Sequence, residues 1–326
     1  MNEKKVFEYD DIQGEPHELK VKNINPYLVE GKDLLLRNSK KPICSVPEIN
    51  YGSFALDDGS YTLSEQEKIE IISSEPTAEK YIKTFIGGKE LLRNEKRFCL
   101  WLVQANPSDL SKMPLVKSRI EHVRNWRLKS DRANTKKLAA TPTLFAEIRQ
   151  PNSRYLAFPT LSSVNRLYIP IAFLEYDVIA SNQVYIIANA NNYTFGILTS
   201  LMHMYWVKAV CGRFKSDYRY SASIVYNNFP WAENPTEKQI KAVEEAAQKV
   251  LDIRAKFPES SLADLYDPNT MPPELVKAHQ ALDKAVDLCY RSQPFINETK
   301  RIEFLFELYD KYTSGMFVKK KKKKRK

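Results

Sequence analysis

The stretch from Tyr193 to Phe214 most constrains the fold. Read at helical spacing, Phe195, Leu198, Leu201, Met202, Tyr205, Trp206, Ala209 and Val210 put apolar side chains around most of a helix. A helix of that kind is largely buried, so other elements have to enclose it. Upstream, Arg154 to Ala190 is rich in Ile, Val, Tyr and Phe with polar punctuation, the pattern of several short strands. Pro159 and Pro170 push those strands toward sheet edges or bulges. A small, mostly antiparallel sheet is predicted. Downstream, Thr236-Glu237-Lys238-Gln239 is a capping box before a long helical run. Pro272-Pro273 opens a second helix, and Asn297 to Tyr312 makes a third. Three helices with polar outer faces predict a small bundle. The fold class is therefore α+β: a sheet with packed helices, followed by an all-α C-terminal helical region.

Composition narrows the function. A chain of 326 residues can bury a large core and make two domains. Only 9 residues are glycine, which argues against phosphate-wrapping glycine loops. The cysteines Cys44, Cys99, Cys211 and Cys289 lie far apart and form no CxxC pair, so neither a zinc knuckle nor a disulfide framework is indicated. No apolar run reaches bilayer-spanning length, and no leader opens the chain. The expectation is a reduced, cytoplasmic setting without a membrane partner. The formal charge of +10 is misleading, since setting aside the eight consecutive basic residues Lys319 to Lys326 leaves only +2. That tail, residues 317–326, reads as an unstructured like-charge block able to bind phosphates non-specifically.

Local charge is more informative. From Lys112 to Lys137 nine basic residues face only Glu121 and Asp131, while Leu115, Val116, Ile120, Val123, Trp126 and Leu128 recur at helical spacing. This predicts an amphipathic helix whose Lys117, Arg119, Arg124, Arg127 and Lys129 contact DNA phosphates; the alternative is a solvated surface helix. Asn25-Pro26-Tyr27 is similar to the Asn-Pro-Pro-Tyr tetrapeptide of an amino-methyltransferase but lacks one proline, and it reads as a turn. Ser64 to Glu67 is a capping box that opens a helix through about Ser74, and Phe98 to Val103 reads as a buried strand. His203, on the buried helix, reads as a satisfied core group. His17, His122 and His279 stand in ordinary contexts. A Mg²⁺-dependent nuclease would need clustered acids and a lysine, and Asp11 with Glu18 and Lys20 is the nearest set.

After the buried helix comes KSDYRYSASIVYNNFPW. In extended backbone Lys215, Asp217 and Arg219 share one face. Lysine and arginine donate to guanine O6 and N7, and an aspartate accepts from cytosine N4, so one Lys–Asp pair can address both members of a base pair. The other reading is a surface loop with an internally satisfied Lys–Asp pair.

Collinear blocks extend this. KPICSVPEINYGSFALDDGSYTLSEQE, FIGGKELL, RFCLWL, RYLAFPTLSS, IPIAFLEYDVIASNQVYII and FGILTSLMHMYWVKAVCGRFKSDYRYSASIVYNNFPW resemble the MmeI-like family of single-chain restriction–modification enzymes. The resemblance covers Lys5 to about Gly315. In that family a nuclease, a helical connector and an adenine-N6 methyltransferase precede a target recognition domain and a helical C-terminal region, and only the last two are matched here. It implies a connector at 1–40, a recognition domain at 41–234 and a helical domain at 235–316. It implies base reading by Lys215, Asp217, Arg219, Asn182, Gln183 and Thr160, with double-stranded DNA and the methyltransferase domain as partners. No catalytic residue or cofactor is expected within this chain; S-adenosylmethionine and Mg²⁺ belong to the absent domains. The alternatives are a protein-interaction module without base reading, or a nuclease fragment. 

Overall fold

The computed structural model describes residues 4–9 and 14–322, the side chains of Glu8 and of residues 315–322 excepted. An N-terminal hairpin pairs β1 (Lys4–Glu8) with β2 (His17–Val21). Then come β3 (Ile49–Tyr51), β4 (Thr62–Leu63), β5 (Ile82–Ile86), β6 (Phe98–Leu100), β7 (Tyr155–Pro159), β8 (Leu161–Ser162), β9 (Ala172–Leu174), β10 (Ile179–Ala180), β11 (Val184–Ala188), β12 (Gly212–Phe214) and β13 (Asp217–Arg219). They form sheets of order β3-β11-β7-β9, β10-β5-β6-β4 and β12-β13-β8. The β10–β5 pairing is parallel and the other pairings between these strands are antiparallel.

The segment read as one small sheet thus feeds three. β7 and β11 are buried along almost their whole length because both faces are covered: Leu156, Phe158, Tyr185 and Ile187 pack into one apolar cluster, and Tyr155, Ala157, Val184 and Ile186 into another. Pro159 ends β7, since it carries no N–H to continue the ladder. The chain leaves that sheet at Thr160 and enters the three-stranded one at Leu161.

The helices are α1 (Glu65–Ser74), α2 (Gly88–Arg93), α3 (Pro107–Leu110), α4 (Pro114–Lys129), α5 (Ala133–Lys137), α6 (Asn192–Leu198), α7 (Leu201–Val210), α8 (Glu237–Arg254), α9 (Leu262–Leu265), α10 (Pro273–Tyr290) and α11 (Glu298–Lys322). Both capping boxes form: Ser64 with Glu67 at α1, Thr236 with Gln239 at α8. Asn25 makes the expected turn, its Oδ1 accepting from the N–H groups of Tyr27 (2.9 Å) and Val29 (3.3 Å). The backbone of the basic tail, expected to be unstructured, is helical as far as Lys322, consistent with lysine's good helix propensity. Residues 323–326 lie outside the described residues.

The long buried helix is broken. α6 stops at Leu198, α7 starts at Leu201, and Gly212–Phe214 is already strand. At the break, Asp283 of α10 caps α7: its Oδ1 accepts from Leu201 N–H at 2.7 Å, and its Oδ2 accepts from the Tyr168 hydroxyl at 2.7 Å. Burial lifts this carboxyl to about 7, against the opposing pull of those two hydrogen bonds. The folded value lies above the unfolded one of about 4. Its stabilising contribution is therefore complete below about pH 4 and is lost as pH rises through about 7. Asp283→Asn keeps an oxygen for Leu201 and removes the ionisation. It should flatten the dependence of thermal midpoint on pH between 4 and 7; a profile parallel to that of the unaltered chain would refute this assignment.

One apolar cluster runs from Leu156 and Phe158 in the sheet, through Phe195 and Trp206, to Val243, Leu282 and Leu305 in the C-terminal helices. Those helices pack on α6 and α7 and share their core. The approach is tightest at Gly196, where a Cβ would lie 2.8 Å from Val243 Cγ1 and 3.2 Å from Ala247 Cβ. Only a residue without a side chain lets α6 sit this close.

Candidate nucleic-acid interface

β12 and β13 form a hairpin in which Phe214 pairs with Asp217 and Lys215-Ser216 make the turn. Lys215 has φ +54°, a left-handed conformation that a two-residue hairpin turn demands. The expected extended run from Lys215 through Arg219 is therefore corrected: Lys215 is at the tip, and only Asp217 and Arg219 share a strand face. Tyr218 between them is buried while both neighbours are exposed. Arg213 braces the tip, its guanidinium 3.9 Å from the Tyr218 ring centroid and its Nη1 donating to Ser216 O.

The hairpin is joined to the other predicted reading positions through backbone. Tyr218 and Arg219 pair with Ser162 and Leu161 of β8. Asp217 Oδ1 accepts from Val164 N–H at 3.2 Å. Tyr220 N–H donates to Thr160 O at 2.9 Å, and the Thr160 hydroxyl donates to Gln183 O at 3.2 Å. Asn182 and Gln183 form the turn between β10 and β11, and both are exposed. The segments that carry Lys215, Asp217, Arg219, Thr160, Asn182 and Gln183 are thus linked by hydrogen bonds; Thr160 is half-buried and the other five are exposed. Gln183 stands between two concavities. One, of about 500 Å³, is bordered by Gly88, Lys89, Arg93, Thr160 and Leu161. The other, of about 310 Å³, is bordered by Asp57, Asp58, Arg97, Trp126 and Asn182. Gly87 leaves room for this turn, as a Cβ there would lie 2.6 Å from Gln183 Oε1.

α4 flanks the group through Trp126, and its five predicted phosphate-binding residues divide. Lys117, Arg124 and Lys129 are exposed. Arg119 is engaged within the fold, donating to Ser60 O (2.8 Å) and pairing with Glu67 (2.9 Å). The Glu67 carboxyl is held down to about 2 by the Ser64 N–H first and by Arg119 second. Arg127 is fully buried and cannot reach DNA. Its guanidinium donates to the carbonyls of Ala55, Leu56, Leu138, Thr141 and Leu144. The pattern carried a signal for this, since Val116, Ile120, Val123 and Arg127 make one continuous buried stripe on the helix. Lys89 and Arg93 of α2, which border the same concavity as Gln183, are not among the predicted residues; their helix is too short for its periodicity to be read.

His203 is a core residue. Its Nδ1 faces Leu198 O (2.8 Å), its Nε2 faces Tyr220 Oη (3.0 Å), and burial drives its pKa down to about 4. Among the described residues no group of three or more His, Cys, Asp or Glu could hold a metal ion. Glu18 pairs with Lys5 at 2.9 Å, and Asp11 lies outside the described residues. No helix among the described residues is long and apolar enough to cross a membrane.

Two family models match: MmeI, target recognition domain, over residues 30–233, and MmeI, C-terminal domain, over residues 235–317. DNA methyltransferase A of Bacillus subtilis (strain 168) is 40% identical over 293 residues, which is 90% of this chain and 33% of that protein. The chain therefore spans about a third of this curated relative. The solved structure of the type IIL restriction–modification enzyme MmeI in complex with DNA superposes with a TM-score of 0.87 at 49% identity, covering 96% of this chain and 42% of that one.

Proposed function

The chain belongs to the MmeI family, with the target recognition domain followed by the C-terminal domain, and from that membership we propose that it reads specific sequence in double-stranded DNA. It acts through the major groove and places the duplex for methyl transfer by a methyltransferase domain elsewhere in the enzyme. One observation supports this reading: three segments that carry six polar side chains, five of them exposed, are tied to one another by hydrogen bonds. Sites built on paired strands hold their geometry better than free loops do.

In this reading Lys215 donates to guanine and Asp217 accepts from cytosine of the same pair. Asp217 Oδ1 is already taken by Val164 N–H, so Oδ2 is the oxygen with more capacity for a base. Arg219 is suited to guanine, and Asn182 and Gln183 to adenine. Thr160 reads a base edge beside Gln183. Lys117, Arg124 and Lys129 hold phosphates; Arg119 and Arg127 do not. The chain itself carries out no chemistry. S-adenosylmethionine and Mg²⁺ would serve other domains, and the donor groups described here do not fit a metal.

Selection from a pool of randomised duplexes tests the proposal. The protein should enrich one short motif, and log affinity should fall linearly with log salt. Neutralising Lys117, Arg124 and Lys129 should flatten that slope by roughly one unit per contact. Recovery of an unenriched pool would rule out sequence reading, and an unchanged slope would return α4 to the status of a solvated helix.

A further inference from the structure

A cavity of about 770 Å³ lies between the end of α2 and the α9 segment, and Arg93 and Arg166 both border it. Arg93 sits in the last turn of α2 and is exposed. Arg166 comes from the turn after β8, closed by its own N–H donating to Ser163 O at 3.3 Å. Among the described residues neither guanidinium makes a side-chain hydrogen bond or an ion pair within 4 Å.

Arg166 is half-buried, and burial is the first cause pulling its pKa down; the charges of Asp217 and Asp267 pull it up, and the smaller influence of Arg93 pulls it down. The fold thus holds two arginines on one cavity. A guanidinium carries five donors, and donors without acceptors favour a partner that supplies them. A group able to accept from both guanidinium groups at once is an anion with several oxygens. Across the cavity stand Glu259, Asp264 and Asp267. Asp264 is occupied by the Ser261 cap and Asp267 by Asn269 N–H. These carboxylates repel an anion from the α9 side and confine it to the arginines.

Two connections tie the arginines to the reading surface. Arg93 also borders the concavity at Thr160 and Gln183. The turn carrying Arg166 is tied through Val164 N–H to the Asp217 carboxylate, whose charge reaches Arg166. A duplex offers one negative charge per roughly 1.7 Å of its axis, so a strand read at Asp217 brings phosphates past these residues. We propose that Arg93 and Arg166 form a two-arginine clamp on one DNA phosphate next to the base pair addressed by Asp217, a site that rests on the DNA-recognition reading above. It anchors register beside α2, whereas α4 borders the other concavity at Gln183.

The test uses the full chain, the selected duplex and three duplexes differing from it only at the Asp217 pair. Arg93→Ala and Arg166→Ala should each weaken all four by roughly tenfold; because both meet one phosphate, the double variant should lower the salt slope by about one unit in all. Arg93→Lys and Arg166→Lys should retain the slope. Methylphosphonate replacement of each phosphate in turn needs no altered protein. One replacement should cost the unaltered chain as much as the double variant loses and cost the double variant nothing. Unchanged affinity and slope in the double variant would overturn the clamp and leave the DNA reading intact. A changed base preference in Arg166→Ala would also overturn it, making Arg166 a positioning residue for Asp217. Failure of the unaltered chain to bind any duplex would remove the reading itself, and the clamp with it.

Discussion

Exchanging Lys215 and Asp217, as the double variant Lys215→Asp with Asp217→Lys, should reverse the preferred base pair at one position of the site. Guanine and cytosine trade strands, and the other positions keep their preferences. A good directional contact to a base edge discriminates by about 1–3 kcal/mol. The swing between the original and reversed pair should thus be roughly tenfold to a few hundredfold. The geometry favours a local effect. Lys215 is at a hairpin tip with its backbone already in the turn conformation, and Asp217 starts the next strand with one oxygen tied to Val164. Competitive binding of the four possible duplexes at that position reads the result. A loss of equal size on all four would mean that the two residues hold the hairpin together and read nothing.

Replacing Arg127 by alanine should have the largest effect on stability. The side chain is fully buried and binds five carbonyls from three parts of the chain: residues 55–56, the segment after α5, and Leu144. Removing it strands those acceptors in a space that water fills poorly. The expected loss is about 3–5 kcal/mol. Arg127→Lys should recover only part, because an ammonium has three donors and lacks the planar fork. Urea unfolding measures this as a lower midpoint. Whatever fraction stays folded should bind DNA with an unaltered salt slope, since Arg127 meets no phosphate. A flattened slope with a normal midpoint would restore Arg127 to the interface.

These three residues mark where sequence reasoning reaches and where it stops. Local rules worked: serine or threonine followed three residues on by Glu or Gln capped helices at Ser64 and Thr236, and strand alternation placed Asp217 and Arg219 together. Lys215 was misplaced because Lys-Ser carries none of the glycine or asparagine that announces a tight turn. The burial of Arg127 and the internal partners of Arg119 are hidden because a basic residue on a helix looks the same in sequence whether it faces solvent or carbonyls. The Arg119 partner Glu67 lies 52 residues away. The break between α6 and α7 was equally hidden, since the cap on Leu201 comes from Asp283, 82 residues downstream. Contacts at such separation are set by packing and leave no local mark. The candidate reading residues follow from resemblance to a family; spacing alone leaves a self-satisfied surface loop as an open alternative.

Gly196 has a consequence for anyone hoping to re-engineer specificity. With α6 pressed against α8 and α10, the reading half and the terminal helices cannot be treated as interchangeable blocks. A cut after Trp231 would expose Phe195, Leu198 and Trp206 to water, and a transplant from a relative would have to match a glycine-sized gap on both sides. On the proposed reading, new specificities are to be sought at the hairpin tip and the β10–β11 turn, whose exposed residues carry little of that shared interior.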